Sequence, residues 1–177
     1  MASTDMSKHT GAKKAPPKKA PAKRAEGDDA PDAITLLKAD HRQVEDWFEQ
    51  FENARSDAKK AELAQSICAA LKTHTEIEEE IFYPAFLEAT GDQDMNDEAI
   101  VEHDGAKKLI AEIEAGQPGD DLWEAKVKVL SEMIKHHVKE EEQPGGMFAK
   151  AKKSDMDLEE LGAALAARKE ALMEAQA

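Results

Sequence analysis

Two short stretches of this chain place a glutamate four residues after a histidine: HTEIE, which begins at residue 74, and HVKEE, which begins at residue 137. Positions i and i+4 of an α-helix lie one turn apart on nearly the same face, so each stretch can present an imidazole nitrogen and a carboxylate to one point. Facing helices hold metal ions with such inward side chains. With two further histidines from other segments, the candidate metal ligands are His41, His74, Glu78, His103, His137 and Glu141.

The two glutamates lie on otherwise apolar stripes, where a carboxylate is costly unless it is protonated or paired with a cation. The stripes contain no lysine or arginine, so a divalent metal ion is the expected partner. A ligand set of imidazole and carboxylate without thiolate suits iron, manganese or zinc, and two irons are our first choice. The alternative is that the histidines are ordinary core residues satisfied by hydrogen bonds.

Apolar residues recur at steps of three and four, which predicts four main helices and a shorter fifth. They cover roughly residues 32–54, 57–88, 96–115, 120–143 and 155–175, and each of the first four carries one stripe histidine. Pro84 removes a backbone donor and is expected to bend the second helix near its end. We expect Ile81 and Ala85 to continue the inward stripe, and Tyr83 to point away from His74 unless the bend turns it.

The composition predicts an all-α protein, because 35% of the 177 residues are charged and only 5% are aromatic. The expected architecture is an antiparallel up-down-up-down four-helix bundle with an additional C-terminal helix and a disordered basic N-terminal arm. The predicted divisions are a Lys/Ala/Pro-rich arm at residues 1–30, the bundle at 31–152, and a C-terminal helix packed on the bundle at 153–177.

The order of these histidines and glutamates, with the sequence EEEIFYPA that begins at Glu78, resembles the hemerythrin-like, or HHE cation-binding, domain over about residues 32–152. The resemblance implies a four-helix bundle with a non-heme di-iron centre, bridged by an oxo or hydroxo group. The ligands that it implies are His41, His74, Glu78, His103, His137 and Glu141. An oxygen-carrying hemerythrin has a second histidine four residues after the one in the third helix, where this chain has Lys107. Glu45, one turn after His41, is then either a substitute ligand or a solvated residue at the edge of the core.

The resemblance implies a protein whose di-iron centre binds dioxygen or a related small ligand and could decompose hydrogen peroxide as catalases do. The missing histidine favours chemistry with peroxide, or iron sensing and sequestration, over reversible oxygen transport. One alternative is therefore an iron sensor or store, or a nitric-oxide-responsive binding protein, without turnover. Another is a structural, nucleic-acid-associated helical protein.

The net charge of −14 hides an asymmetry, because residues 1–25 carry seven Lys or Arg against one Asp. Such an arm could contact nucleic acid or another polyanion weakly, or could fold back on the acidic body of the chain. A lone cysteine, Cys68, excludes an intramolecular disulfide framework. No apolar run is long enough to cross a bilayer, so we expect a cytoplasmic protein without membrane contact.

Several residues beside the candidate ligands are not expected to bind the metal. His136 is predicted to face away from the centre, either at the surface or behind a ligand that it supports. The carboxylates that point off the stripes are predicted to face solvent: Glu79, Glu80, Glu140 and Glu142. Glu102 and Asp104, which flank His103, could orient its ring by hydrogen bonding.

Overall fold

The computed structural model describes residues 31–176, and the all-helical prediction is confirmed there, since this part of the chain contains no strand. The helices are α1 Ala33–Asn53, α2 Asp57–Ile77, a π-helical turn Glu78–Phe82, α3 Tyr83–Thr90, α4 Gln93–Glu114, α5 Trp123–Glu142, α6 Met147–Ala151 and α7 Leu158–Gln176. The short helix α6 was not predicted, and the predicted basic arm lies outside the described residues. None of these helices is long and apolar enough to cross a membrane.

Polar side chains fix the starts of three helices that carry the candidate ligands. Asp32 accepts hydrogen bonds from the backbone N–H groups of Ile34 and Thr35 at the start of α1. Ser56 accepts a hydrogen bond from the backbone N–H of Lys59 at the start of α2. The side chain of Asp92 accepts one from a backbone N–H in the first turn of α4. These caps satisfy backbone donors that have no partner within the helix, and they set where each helix begins.

The candidate ligands lie at the boundary between two hydrophobic clusters. Cluster 1 contains residues such as Val44, Leu71 and Ile134, and cluster 2 contains residues such as Leu37 and Ile77. Along α1 and α4 the chain passes from cluster 2 through the histidine to cluster 1, and along α2 it passes in the opposite sense. Helix α5 contributes to cluster 1 alone, and the chain reaches cluster 2 after it, at Met147 in α6. The apolar stripes therefore bring one histidine from each helix to the same level.

The π-helical turn changes which side chains face the interior at the end of the second predicted helix. The N–H of Tyr83 donates to the carbonyl of Glu78, five residues earlier, and Pro84 follows without an N–H of its own. The extra residue in this turn rotates the side chains that follow it about the helix axis. The prediction for Ile81 and Ala85 therefore holds only in part, because both are half-buried, although Ile81 packs against cluster 2. The buried residues are instead Phe82, Tyr83 and Phe86.

Helix α7 packs against α1, α2 and the π-helical turn. Its buried residues Leu165 and Leu172 belong to cluster 2. Arg168 donates to Glu76 and Glu80, with nitrogen–oxygen distances of 2.7 Å to each carboxylate, and Lys169 pairs with Asp40. The last helix is thus held on α1 and α2 by apolar and charged contacts together.

The approach of α7 to the start of α1 depends on Gly162. A Cβ at this position would lie 2.3 Å from the carbonyl oxygen of Pro31 and 2.8 Å from the backbone nitrogen of Ala33. Glycine to alanine usually stabilises a helix interior by about 1 kcal/mol. We expect Gly162→Ala to destabilise the protein instead, by about 1–3 kcal/mol, because backbone must move. Urea denaturation measures the difference.

A matched control for this substitution is Gly105→Ala in α4. The added methyl group there meets only the flexible end of Met133, at 2.9 Å, so a small gain in stability or no change is expected. Equal effects of the two substitutions would contradict the proposed close approach of α7 to α1.

Candidate metal centre

All six candidate ligands are buried, and the structure brings them together in one cluster between α1, α2, α4, α5 and the π-helical turn. None is more than 6% exposed, and Glu78 is 0% exposed. His41, His74, His103 and His137 each come from a different helix, while Glu78 opens the π-helical turn and Glu141 lies in the last turn of α5. The i and i+4 spacings thus point inward as the sequence predicts.

One half of the cluster is formed by His41, His74 and Glu78. The Nε2 atoms of the two histidines lie 3.1 Å apart. His74 Nε2 lies 3.2 Å from Glu78 Oε2, and His41 Nε2 lies 3.4 Å from Glu141 Oε2. Two imidazoles and two carboxylates therefore converge on one small region.

The other half repeats this arrangement with His103 and His137, whose Nε2 atoms lie 3.2 Å apart. His103 Nε2 lies 3.4 Å from Glu78 Oε2, and His137 Nε2 lies 3.7 Å from Glu141 Oε1. Glu78 therefore contacts both halves through one oxygen, and Glu141 contacts them through different oxygens. The ligand atoms satisfy the spacing of a metal site twice, once in each half, with Glu78 shared.

Tyr83 contributes a hydroxyl to the second half, although its sequence position predicted that it would point away from His74. Its oxygen lies 3.3 Å from Glu78 Oε2, 3.2 Å from Glu141 Oε1 and 3.1 Å from His103 Nε2. In an uninterrupted α-helix Tyr83 would lie about opposite His74, and the π-helical turn rotates it inward. The proline that follows Tyr83 was the one sequence signal for this change.

A carboxylate lies beside the Nδ1 atom of each histidine, on the side away from the cluster. The nitrogen–oxygen distances are 2.9 Å for His41 and Glu142, 3.5 Å for His74 and Asp40, 2.9 Å for His103 and Glu79, and 2.7 Å for His137 and Glu102. At His41, His103 and His137 this carboxylate fixes the ring orientation and leaves Nε2 free to bind a metal ion, whereas His74 Nδ1 has no hydrogen-bond partner.

These contacts correct three predictions. Glu79 and Glu142 were expected to face solvent, but each contacts a histidine across a helix interface. Glu102 was expected to orient His103, its neighbour in sequence, and instead contacts His137 on α5. In each case the partner belongs to another helix, which periodicity along one helix cannot indicate.

Lys107 occupies the position of the absent histidine and has a structural role here. Its Nζ donates to both carboxylate oxygens of Glu79, at 2.6 Å each, and Glu79 in turn contacts His103. Glu45 pairs with Arg42 at 3.2 Å and does not belong to the six-residue cluster. Of the two alternatives for Glu45, the structure favours the residue at the edge of the core.

The two buried carboxylates differ in their affinity for protons. Burial alone would raise the pKa of Glu78, but the nearby imidazoles, His74 foremost, lower it to about 2. Burial and the Glu78 charge raise the pKa of Glu141 to about 8. Burial opposes a charge on His137, but Glu141 and Glu102 outweigh it and raise its pKa to about 9. The cluster therefore holds protons at neutral pH on both Glu141 and His137.

The donor atoms fit a metal ion on chemical grounds. Glu78 Oε1 and Glu141 Oε2 are buried and have no hydrogen-bond partner, although buried oxygens of this kind are normally satisfied. The four Nε2 atoms face one another in two close pairs, and a neutral ring that donates from Nε2 is left with an unprotonated Nδ1 facing a carboxylate. Divalent cations would neutralise the carboxylates and accept the nitrogen lone pairs.

Metal binding is expected to release protons, because a bound carboxylate and imidazole must give up theirs. Raised pKa values of about 8 for Glu141 and about 9 for His137 mean that both are protonated at pH 7. The apparent affinity for Fe²⁺ should therefore rise between pH 7 and 9, by up to about tenfold per pH unit for each proton released. Anaerobic calorimetry in buffers of different ionisation enthalpy measures the release. An affinity independent of pH over this range would contradict the assignment.

Comparison with known proteins agrees with this geometry. Residues 32–144 match the family described as hemerythrin HHE cation binding domain. A DNA nickase from Nostoc sp. is 28% identical over 107 residues, which are 60% of this chain and only 30% of that protein. A solved structure of a hemerythrin HHE cation binding domain-containing protein from Mycobacterium kansasii superposes with a TM-score of 0.68 at 23% identity, over 82% of this chain and 89% of that one. This last likeness is one of fold.

Proposed function

This chain belongs to the hemerythrin HHE cation-binding domain family, and on that premise we propose that its buried cluster holds two iron ions. The observation that supports two ions is the pairing of ligand sets, in which Glu78 contacts both halves and Glu141 directs one oxygen to each. The proposed ligands are His41, His74, Glu78, His103, His137 and Glu141. Imidazole and carboxylate donors without thiolate suit iron.

The proposed scaffold for this centre is an antiparallel up-down-up-down bundle of four helices, with the π-helical turn and α3 completing the second. The support is the order of the two hydrophobic clusters, which alternates along α1, α2 and α4 and again from α5 to α6. In such a bundle the four inward faces meet at one level, which is where the histidines lie. The C-terminal helix α7 packs against α1 and α2.

The centre is proposed to bind dioxygen or a related small ligand and to decompose hydrogen peroxide. Bound iron would supply the redox chemistry, in which two molecules of hydrogen peroxide give two of water and one of dioxygen. A cavity of about 10 Å³ lies beside the cluster and is walled by apolar residues such as Val44, Leu71 and Ile134. This volume is close to the minimum for one water molecule, so the cavity excludes large molecules. We place this activity in the cytoplasm, as the sequence predicts.

Tyr83 is proposed to hold a proton beside the reacting ligand. Burial and the charges of Glu141 and Glu78 raise its pKa well above the usual value of 10. Without a bound cation the phenol therefore stays protonated and donates to the carboxylates. A positioned phenol of this kind can hydrogen-bond a small oxygen-containing ligand, or return a proton as its oxygen–oxygen bond breaks.

Elemental analysis and oxygen evolution on the full chain test this proposal together. We expect about two irons per chain and dioxygen release from peroxide in proportion to bound iron, with the metal-free chain plus free iron as control. A folded chain that binds no iron would overturn the proposal. Iron binding without oxygen evolution would favour the second candidate, an iron store or sensor, which uses the same ligands.

A nucleic-acid function has less support. The nickase similarity covers 30% of that protein, so its activity does not follow for this chain. The basic residues proposed to contact a polyanion lie in the arm outside the described residues. Salt-dependent DNA binding that is lost when residues 1–25 are removed would support such a contact, which could accompany the metal centre.

A further inference from the structure

A second cluster of possible metal ligands lies at the surface, outside the buried centre. Its members are Glu102 on α4 and His136 and Glu140 on α5, here called the surface triad. His136 Nε2 lies 3.4 Å from Glu102 Oε1 and 3.2 Å from Glu140 Oε1. The His136 side chain is 61% exposed, while the two carboxylates are 21% and 33% exposed. One imidazole and two carboxylates thus converge where solvent can reach them.

The surroundings of the surface triad are acidic. Glu98, Glu102 and Glu140 line one cavity, and no lysine or arginine is among the residues that line it. Like charges this close repel one another, and a cation among them would relieve the repulsion. An imidazole one helical turn from a carboxylate, facing a carboxylate on the next helix, is a ligand set for a divalent first-row metal ion.

A cavity connects this acidic surface with the buried centre. Its volume is about 90 Å³, and its lining includes Glu98, Glu102 and Glu140 together with His137 and Glu141. Glu141 is 2% exposed, and its Oε2 has no hydrogen-bond partner. The cavity therefore extends from the partly exposed carboxylates of Glu102 and Glu140 to the buried side chain of Glu141.

Glu102 joins the two clusters directly. Its Oε1 faces His136 at 3.4 Å, and its Oε2 accepts from His137 Nδ1 at 2.7 Å. A cation held by Glu102 would therefore be separated from His137, a proposed ligand of the centre, by the Glu102 carboxylate alone. His136 and His137 are consecutive in the chain, and their rings contact different oxygens of this carboxylate.

We propose that the surface triad binds a divalent cation weakly and is the loading site through which Fe²⁺ reaches the buried centre. This inference rests on the proposed function, since it needs a centre to be loaded. An exposed three-ligand site exchanges its ion readily, whereas the enclosed six-residue cluster retains it. Acidic clefts that focus a cation in this way raise association rates by about 10- to 1,000-fold.

The test compares rates of iron loading in the full chain, freed of metal and mixed with Fe²⁺ under anaerobic conditions. Surplus Fe²⁺ is removed by a chelator at set times, and bound iron is then counted. We expect His136→Asn combined with Glu140→Gln to slow loading by about tenfold or more. The final iron content and the melting temperature of the loaded protein should equal those of the parent.

The matched control is Glu112→Gln combined with Glu124→Gln, which removes two carboxylates from the far ends of the same two helices. It should load at the parent rate. Equal rates for the triad variant and this control would overturn the loading site and leave the proposed centre intact. A triad variant that reaches a lower final iron content would also overturn it, because those residues would then hold the centre itself. A parent chain that takes up no iron would overturn the proposed function.

Discussion

Replacing His74 and Glu78 together is expected to abolish iron binding, taking the content from about two ions per chain to near zero. The pair supplies one imidazole of the first half and the carboxylate that contacts both halves, at 3.2 Å from His74 and 3.4 Å from His103. Loss of Glu78 therefore weakens both proposed ion sites at once. The alanine pair is the simplest version, and His74→Gln with Glu78→Gln keeps the side-chain volume if the alanine variant does not fold.

The stability of the protein should lose its response to iron in the same variants. A ligand that binds only the folded state stabilises it by about 4 kcal/mol when present at a thousand times its dissociation constant. The melting temperature of the parent should rise on adding iron, and that of the variants should not. The measurements are metal analysis and thermal unfolding with and without Fe²⁺.

A control for this pair is Lys72→Ala with Glu76→Ala, which has the same spacing on the same helix. These side chains point outward and pair with Glu114 and Arg168. The control should keep both the iron and the thermal response. Full iron content in the His74 and Glu78 variants, with the parent response to Fe²⁺, would contradict the ligand assignment.

The sequence predicted the helices and the level of the site because both follow from short-range rules. His41, His103 and His137 recur in register with apolar residues of their own helices, so each had to face the interior. The convergence of the four histidines then followed from packing the apolar stripes together. The glutamates needed only the i and i+4 rule to lie beside their histidines.

The features that the sequence did not predict depend on contacts between helices or on a backbone change. Glu79, Glu102 and Glu142 contact histidines of other helices, and such pairings depend on how the helices pack. Tyr83 was placed on the outer face because a period of 3.6 residues was assumed through Pro84. The Tyr83 N–H instead bonds five residues back, which shifts the later side chains around the helix axis.

Tyr83→Phe is expected to lower peroxide decomposition by about 100-fold or more while the iron content stays at the parent value. The substitution removes only the hydroxyl, which lies 3.1–3.3 Å from His103, Glu78 and Glu141. A positioned proton donor contributes about 10²–10⁴-fold to a rate. The phenol is not among the six proposed ligands, so the ions should remain. Oxygen evolution per bound iron, followed against pH, is the measurement.

The matched control is Phe82→Leu, which changes the neighbouring aromatic side chain and its packing against Phe148 but removes no polar atom. It should lower stability and leave oxygen evolution per iron unchanged. If Tyr83→Phe keeps the parent rate at every pH, the phenol has no part in the reaction. The carboxylates alone must then donate and accept the protons. If the variant instead loses iron, Tyr83 belongs with the residues that hold the metal. The π-helical turn that brings its hydroxyl inward would then serve binding rather than proton transfer.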